Sequence, residues 1–288
     1  MSNQMQVLAQ KAMLKSIDVR NQARLGLNSP ICIYGLCDNL NVKVRFVDIS
    51  MEGMYLKDEE PAILLSALRP LPRRNFTCAH ELGHHIFEHG STVDELIEDS
   101  DQPKTFNPEE FLVDSFAGFL LMPILAVRKA FVSRGWDVAS ATPVQFFTIA
   151  SSFGVGYKTL IDHMTYALKM IDRSQAALLL KSTPKAIRKD ILGRSSTDPL
   201  IVADAHWSLS TLDAEVGSQL LLPSTVKATN DTITFQEYNP LGCLFRATRP
   251  GLVRVYCPTN KWAIFVRISR YQFIGLSKYR HIEEVEDE

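Results

Sequence analysis

Little in this 288-residue chain marks it for a charged partner or a membrane. Its 31 Lys and Arg nearly cancel its 32 Asp and Glu, for a net charge of −1. No global field therefore draws it to nucleic acid or to an anionic bilayer. The five cysteines (Cys32, Cys37, Cys78, Cys243 and Cys257) are an odd number without paired metal-ligand spacing. They suggest neither a disulfide framework nor a cysteine metal site, and they fit a reducing cytoplasm. No charged-then-apolar leader opens the chain, no apolar run is expected to reach membrane length, and no internal repeat is visible. What remains is a chain of about two domains' length, ample for a buried core. Charge is uneven within it: residues 88–114 carry nine acidic groups against one Lys, and 157–194 carry eight basic against three acidic.

The run His80-Glu81-Leu82-Gly83-His84 carries chemistry. Residues four apart project from one helical face, so His80 and His84 can grip a single metal ion. Glu81, one step round from His80, can hold a proton for a water activated there. The surroundings predict a helix. Pro72 can open it, and Phe76, Ala79, Leu82, Gly83, Ile86 and Phe87 form an apolar stripe at spacings of three and four. Gly90 is the expected stop, and Gly83 is expected to permit close approach of another backbone or of substrate.

A catalytic site needs a third protein ligand and an open position. One large zinc-protease class places a third His six residues after the second. That position here is Gly90, so the class is excluded. His85 and His89 lie about 100° and 140° round the helix from His84 and are read as solvent-exposed or outer partners. Glu88 is one turn too far along. The next candidates lie on an expected helix with Asn107 as N-cap, Pro108 at its first position and Pro123 after its end. Leu112, Phe116, Phe119 and Leu120 would pack inward. A carboxylate bordered by apolar residues should be paired or metal-bound. Glu110 is the expected third ligand and Asp114 an acceptor orienting one ligand His, with Glu109 as the alternative to Glu110.

The segments from Arg73 to His84 (RRNFTCAHELGH) and from Glu110 to Ala117 (EFLVDSFA), followed by Leu120-Leu121-Met122-Pro123, resemble the ImmA/IrrE family of bacterial metallopeptidases. The resemblance covers roughly residues 5 to 170. By position, it makes His80, His84 and Glu110 metal ligands and Glu81 the catalytic base of a zincin-like, gluzincin-like domain. Val113 stands where Ala is usual and Asp114 where Asn is usual, so Asp114 adds negative charge beside the ion. The resemblance implies site-specific cleavage of a helix–turn–helix repressor, releasing stress-response or mobile-element genes.

The expected fold is α+β in three parts: a zincin-like peptidase domain over 1–135, a helix-turn-helix-like segment over 136–194 and a separate, mainly β domain over 195–288. Helices at 4–25 and 31–39 precede strands at 42–46, 53–56 and 62–66. The 62–66 strand is either an edge that pairs with extended substrate or an ordinary interior strand. Residues 150–160 follow helix–turn–helix grammar, which would put Tyr157, Lys158 and His163 in a DNA major groove. A basic helix pair broken at Pro184 and a linker at 195–199 precede short β runs near 200–202, 219–222, 232–235, 252–256 and 262–268. The β domain would sense a signal or recognise a partner, and the acidic end Glu283–Glu288 is expected to fray.

The expected activity is metal-assisted peptide hydrolysis. Two nitrogens and one oxygen select weakly among first-row metals, so Zn²⁺ and Mn²⁺ both fit. Arg73, Arg74, His85 and Tyr55 are unranked candidates for stabilising the oxyanion. Two readings of other classes remain, a DNA-binding regulator with a structural metal and a toxin–antitoxin-type interaction protein.

Overall fold

The computed structural model describes residues 3–94 and 106–282, so most of the acidic stretch before Asn107 and the acidic end lie outside the described residues. The fold is mixed helix and sheet, as the α+β expectation requires. It forms two compact units, Met1–Arg128 with Ile274–Lys278, and Lys129–Phe273 with Tyr279–Glu288.

In the first unit, α1 (Asn3–Gln22) and α2 (Ile33–Asn39) precede β1 (Lys43–Val47), β2 (Gly53–Leu56) and β3 (Ala62–Ser66). Then come α3 (Leu71–Ile86), β4 (Thr92–Asp94), α4 (Pro108–Leu121) and the start of α5 (Ile124–Val132). β1 alternates because Val44 and Phe46 face the core while Lys43 and Arg45 face water. β3 runs parallel to β1 and antiparallel to β2, and β4 continues the sheet beyond β2. The 62–66 strand is thus interior, hydrogen-bonded on both sides, and offers no edge to a substrate. α3 packs on β2 and β3, and α4 packs on both α1 and α3.

One buried cation, which nothing in the sequence singled out, ties this layer together. Arg20 of α1 is fully buried and donates to the carbonyls of Leu120, Gly26 and Ser29. It thereby satisfies a carbonyl near the end of α4, where helical partners run out. Burial lowers its pKa to about 10, still far above neutrality.

The stretch Pro108–Val132 corrects the expectation about apolar runs. It is long and apolar enough to cross a membrane, but 67% of its apolar window is buried inside the protein. That is the position of a core helix.

The second unit holds α6 (Pro143–Phe153), α7 (Tyr157–Asp162), a π-helical turn (His163–Ala167), α8 (Arg173–Leu179) and α9 (Pro184–Leu192). Eight strands, β5 to β12, follow between Leu200 and Ser269 and make two four-stranded sheets. Leu220 and Phe245 from one sheet and Val253 and Val266 from the other share one buried cluster, so the sheets pack face to face. The units divide after Arg128, near the expected division at 135, and no division falls at 194. Arg134 pairs with Asp204, Asn239 donates to the Ile191 carbonyl and α6 packs on β5 (Leu200–Val202), so the helices and sheets form one unit. The strand runs read from sequence omitted Thr211–Glu215, Lys227–Ala228, Gly242–Ala247 and Gly275–Leu276. The last of these, β13, pairs antiparallel with β1 in the first unit.

The helix–turn–helix grammar corresponds to α6 and α7, with Gly154 left-handed between them (φ 62°). Two of its three proposed groove residues face the core instead. Tyr157 is 5% exposed and its hydroxyl donates to the Leu179 carbonyl, and His163 is 8% exposed. Lys158 is spent on an i,i+4 pair with Asp162. Of the three, Lys158 alone stays at the surface.

Asp213 of β6 (Thr211–Glu215) bridges Arg267 of β12 (Ala263–Ser269), its register partner, and Arg280, at 2.6 to 2.9 Å. Burial pushes the Asp213 carboxyl up, but the guanidiniums of Arg280 and Arg267 outweigh it and hold the pKa below its ordinary value. This contribution to stability is complete above the unfolded carboxylate pKa of about 4 and is lost as pH falls through the lower folded value. Asp213→Asn should cost about 3–5 kcal/mol by leaving two largely buried guanidiniums without their carboxylate. Urea denaturation at pH 7 measures the loss, and the gap between the two proteins should narrow below about pH 4.

Candidate metal centre

α3 begins after Pro70, with Pro72 in its first turn where no intrahelical N–H is needed. It ends at Ile86, four residues before the expected stop at Gly90. Glu88 takes the left-handed conformation (φ 60°), Glu88 N–H bonds the His85 carbonyl and His89 N–H bonds the His84 carbonyl. This is a Schellman cap with Glu in the place that favours Gly, at a cost of roughly 1 kcal/mol. α4 starts as expected, with the Asn107 side chain accepting from the Glu109 and Glu110 N–H groups.

The helices meet closely at Gly83. A Cβ added there would lie 3.0 Å from Val113 Cβ, 3.1 Å from Val113 Cγ1 and 3.2 Å from Phe116 Cδ1. The approach Gly83 permits is therefore of side chains from α4, not of a backbone or a substrate.

That contact brings Glu110 to the histidine pair. His80 Nε2 lies 3.2 Å from His84 Nε2, Glu110 Oε2 lies 3.3 Å from His80 Nε2, and Glu110 Oε1 lies 3.6 Å from His84 Nε2. Donors about 2.1 Å from one ion at tetrahedral corners would stand roughly 3.4 Å apart. The two ring nitrogens and the Glu110 oxygen nearest each lie close to that figure, and one atom from each residue can be chosen with all three within 4.8 Å of one another. His80 and His84 are 6% and 1% exposed, whereas Glu110 is half-buried at the rim. Among the described residues, these three form the one group of His, Cys, Asp or Glu side chains able to hold a metal ion. Glu109, the alternative to Glu110, is exposed and takes no part.

The outer contacts orient the rings. Asp114 Oδ1 lies 2.8 Å from His80 Nδ1. An ionised carboxylate only accepts, so His80 Nδ1 carries the proton and, in the neutral ring, Nε2 keeps its lone pair toward Glu110 and His84. Lone pairs turned to one point repel unless a cation lies among them, which is the chemistry of a metal site. Burial, and after it the charge of a protonated His80, lowers the His84 pKa to about 4. Its imidazole is therefore a free base at neutral pH, as metal binding requires. When His80 is protonated on both nitrogens, its Nε2–H bond and then its charge hold the Glu110 carboxyl below its ordinary pKa.

Residues 37–164 match the IrrE N-terminal-like domain of the Peptidase_M78 family. Over those 128 residues the chain is similar to an IrrE N-terminal-like domain. The match spans β1 to β4, α3 and α4, and so contains the whole candidate centre. No curated protein matches the chain.

Other features of the IrrE-type domain were missed or left open in the sequence. Glu81 is fully buried against β2, where a Cβ at Gly53 would stand 3.0 Å from Glu81 Oε1 and 2.5 Å from Thr77 Cγ2. Only a glycine there lets the strand lie against the helix without moving the carboxylate, and a lone Gly inside a strand was the available signal. Cys78 is buried as expected, with its sulfur 3.7 Å from that of Cys37. Of the oxyanion candidates, Arg73 is paired with Glu52 and Arg74 lies over the Phe46 ring. Tyr55 and His85 are joined hydroxyl to Nδ1 at 2.9 Å.

Gly83→Ala should destabilise the protein by about 1–3 kcal/mol, since Val113 and Phe116 must give way. The same displacement moves Glu110 from the histidines, so metal affinity should fall together with the melting temperature. Calorimetry and a chelator competition on the same preparation check both.

Proposed function

We propose that this protein is a metal-dependent endopeptidase whose ion is held by His80, His84 and Glu110, with Glu81 as general base. The observation that carries the reading is the set of donor separations, 3.2, 3.3 and 3.6 Å, from two separate helices. Zn²⁺ or Mn²⁺ bound there would supply Lewis acidity and lower the pKa of an attacking water toward about 7.

The chain's own side chains do the rest. Glu81 accepts the water proton on its carboxylate and returns it to the leaving amine. Burial against β2 keeps that carboxylate out of bulk water and in a fixed orientation. Asp114 keeps the His80 proton on Nδ1 and so keeps Nε2 free to coordinate.

The substrate in this reading is a helix–turn–helix repressor, whose cutting releases stress or mobile-element genes; the family resemblance supports it. The sheet-rich part of the second unit then serves as the sensor or partner-recognition module. The burial of Tyr157 and His163 favours this over direct DNA binding through α7.

Glu81→Gln decides the catalytic role. The variant should retain stoichiometric Zn²⁺ by elemental analysis, while cleavage of a fluorogenic peptide library slows by about 10²-fold to 10⁴-fold. Undiminished cleavage in the variant would falsify the assignment of Glu81 as base.

A further inference from the structure

His84 has a partner on its far side, and that partner is another histidine. His84 Nδ1 lies 3.0 Å from His89 Nδ1, with the ring centroids 5.1 Å apart and the planes at 62°. On an ideal helix His89 would point about 140° away from His84. It reaches His84 because α3 has already ended. The left-handed turn at Glu88 folds the chain back, so that the His89 N–H caps the His84 carbonyl while the His89 ring meets the His84 ring.

The His89 ring is braced from its other side. Phe87 stacks on it at 6.1 Å and 27°, and Phe87 in turn stands edge-on to Phe116 of α4 at 5.6 Å. Cap, stack and ring-to-ring bond together define one position for His89.

Two Nδ1 atoms at this distance share one proton. If His89 donated it, His84 would accept on Nδ1, and its neutral ring would carry the other proton on Nε2, the atom turned to His80 and Glu110. That tautomer cannot coordinate. If His84 donates, its Nε2 lone pair is free. We propose that His89 is a positioning residue for the metal centre, accepting the Nδ1 proton of His84 and thereby holding that ligand in its coordinating tautomer. It does for His84 what Asp114 does for His80, with a neutral acceptor in place of a carboxylate. The inference rests on His84 being a metal ligand through Nε2.

The test uses the full chain, stripped of metal and titrated with Zn²⁺ against a chromogenic chelator. His89→Leu should weaken Zn²⁺ binding by roughly 10-fold to 100-fold, the usual effect of removing an outer partner. His89→Gln, whose amide oxygen can accept, should recover most of that loss. The melting temperature of each metal-free variant separates loss of fold from loss of orientation. Binding by His89→Leu as tight as wild type overturns the inference, as does failure of His89→Gln to rescue when its fold is intact. A second measurement needs no variant: long-range ¹⁵N–¹H spectra of the Zn²⁺-loaded wild-type protein should show His89 bare at Nδ1 and protonated at Nε2. The opposite tautomer overturns the inference. Failure of the underlying reading has a different signature, because His84→Ala would then bind Zn²⁺ as tightly as wild type.

Discussion

The close packing of α3 on α4 at Gly83 is the constraint on which the candidate centre depends. Two histidines one turn apart on α3 cannot enclose an ion, and the third donor must come from a different element at a separation fixed to a few tenths of an ångström. Val113 and Phe116 seat against a position without a side chain, and that contact sets the distance at which Glu110 faces His80 and His84. Val113, which departs from the residue usual in the resembled family, is the side chain that fills the space Gly83 leaves. Arg20 anchors the other end of α4 through the Leu120 carbonyl, so both ends of the helix carrying Glu110 are held.

Burial and hydrogen bonding work in the same direction at this centre. Desolvation disfavours protonated histidine and keeps His84 a free base, while any protonation of His80 on Nε2 bonds Glu110 and favours its anion. His84 and Glu110 thus favour the protonation states a cation requires. The outer carboxylate of Asp114 supports this by demanding the Nδ1 proton of His80. The three donors share one electrostatic preference, which isolated hydrogen-bonded histidines in a core would not.

The second unit follows different physics. Its two sheets bury one shared apolar cluster, and its buried charges sit in a compact bridge of Asp213 with Arg267 and Arg280. The helix–turn–helix grammar of 150–160 was correct as grammar, with two helices and a left-handed glycine between them. It did not place Tyr157 and His163, because the helix pattern does not say which face meets solvent. Tyr157 goes inward because α7 packs against α8, whose Leu179 carbonyl takes its hydroxyl, which no local spacing reveals.

The sequence alone determined the features governed by local rules. Residues four apart on a helix face the same way, so His80 and His84 could be paired from their numbers. Asn107 followed by proline marked a helix start, and alternation in 42–46 marked a strand with one wet face, which runs from Lys43 to Val47. The carboxylate reading for Glu110 came from its place at the start of an apolar helix. Only the tertiary structure decided what depends on residues far apart in the chain: the interior place of β3, the α4 side chains that fill the space at Gly83, and the approach of Gly53 to Glu81. It also decided the role of His89. A helical wheel sends that ring away from His84, and an early left-handed turn at a glutamate, one residue type among many that rarely adopt it, sends it back.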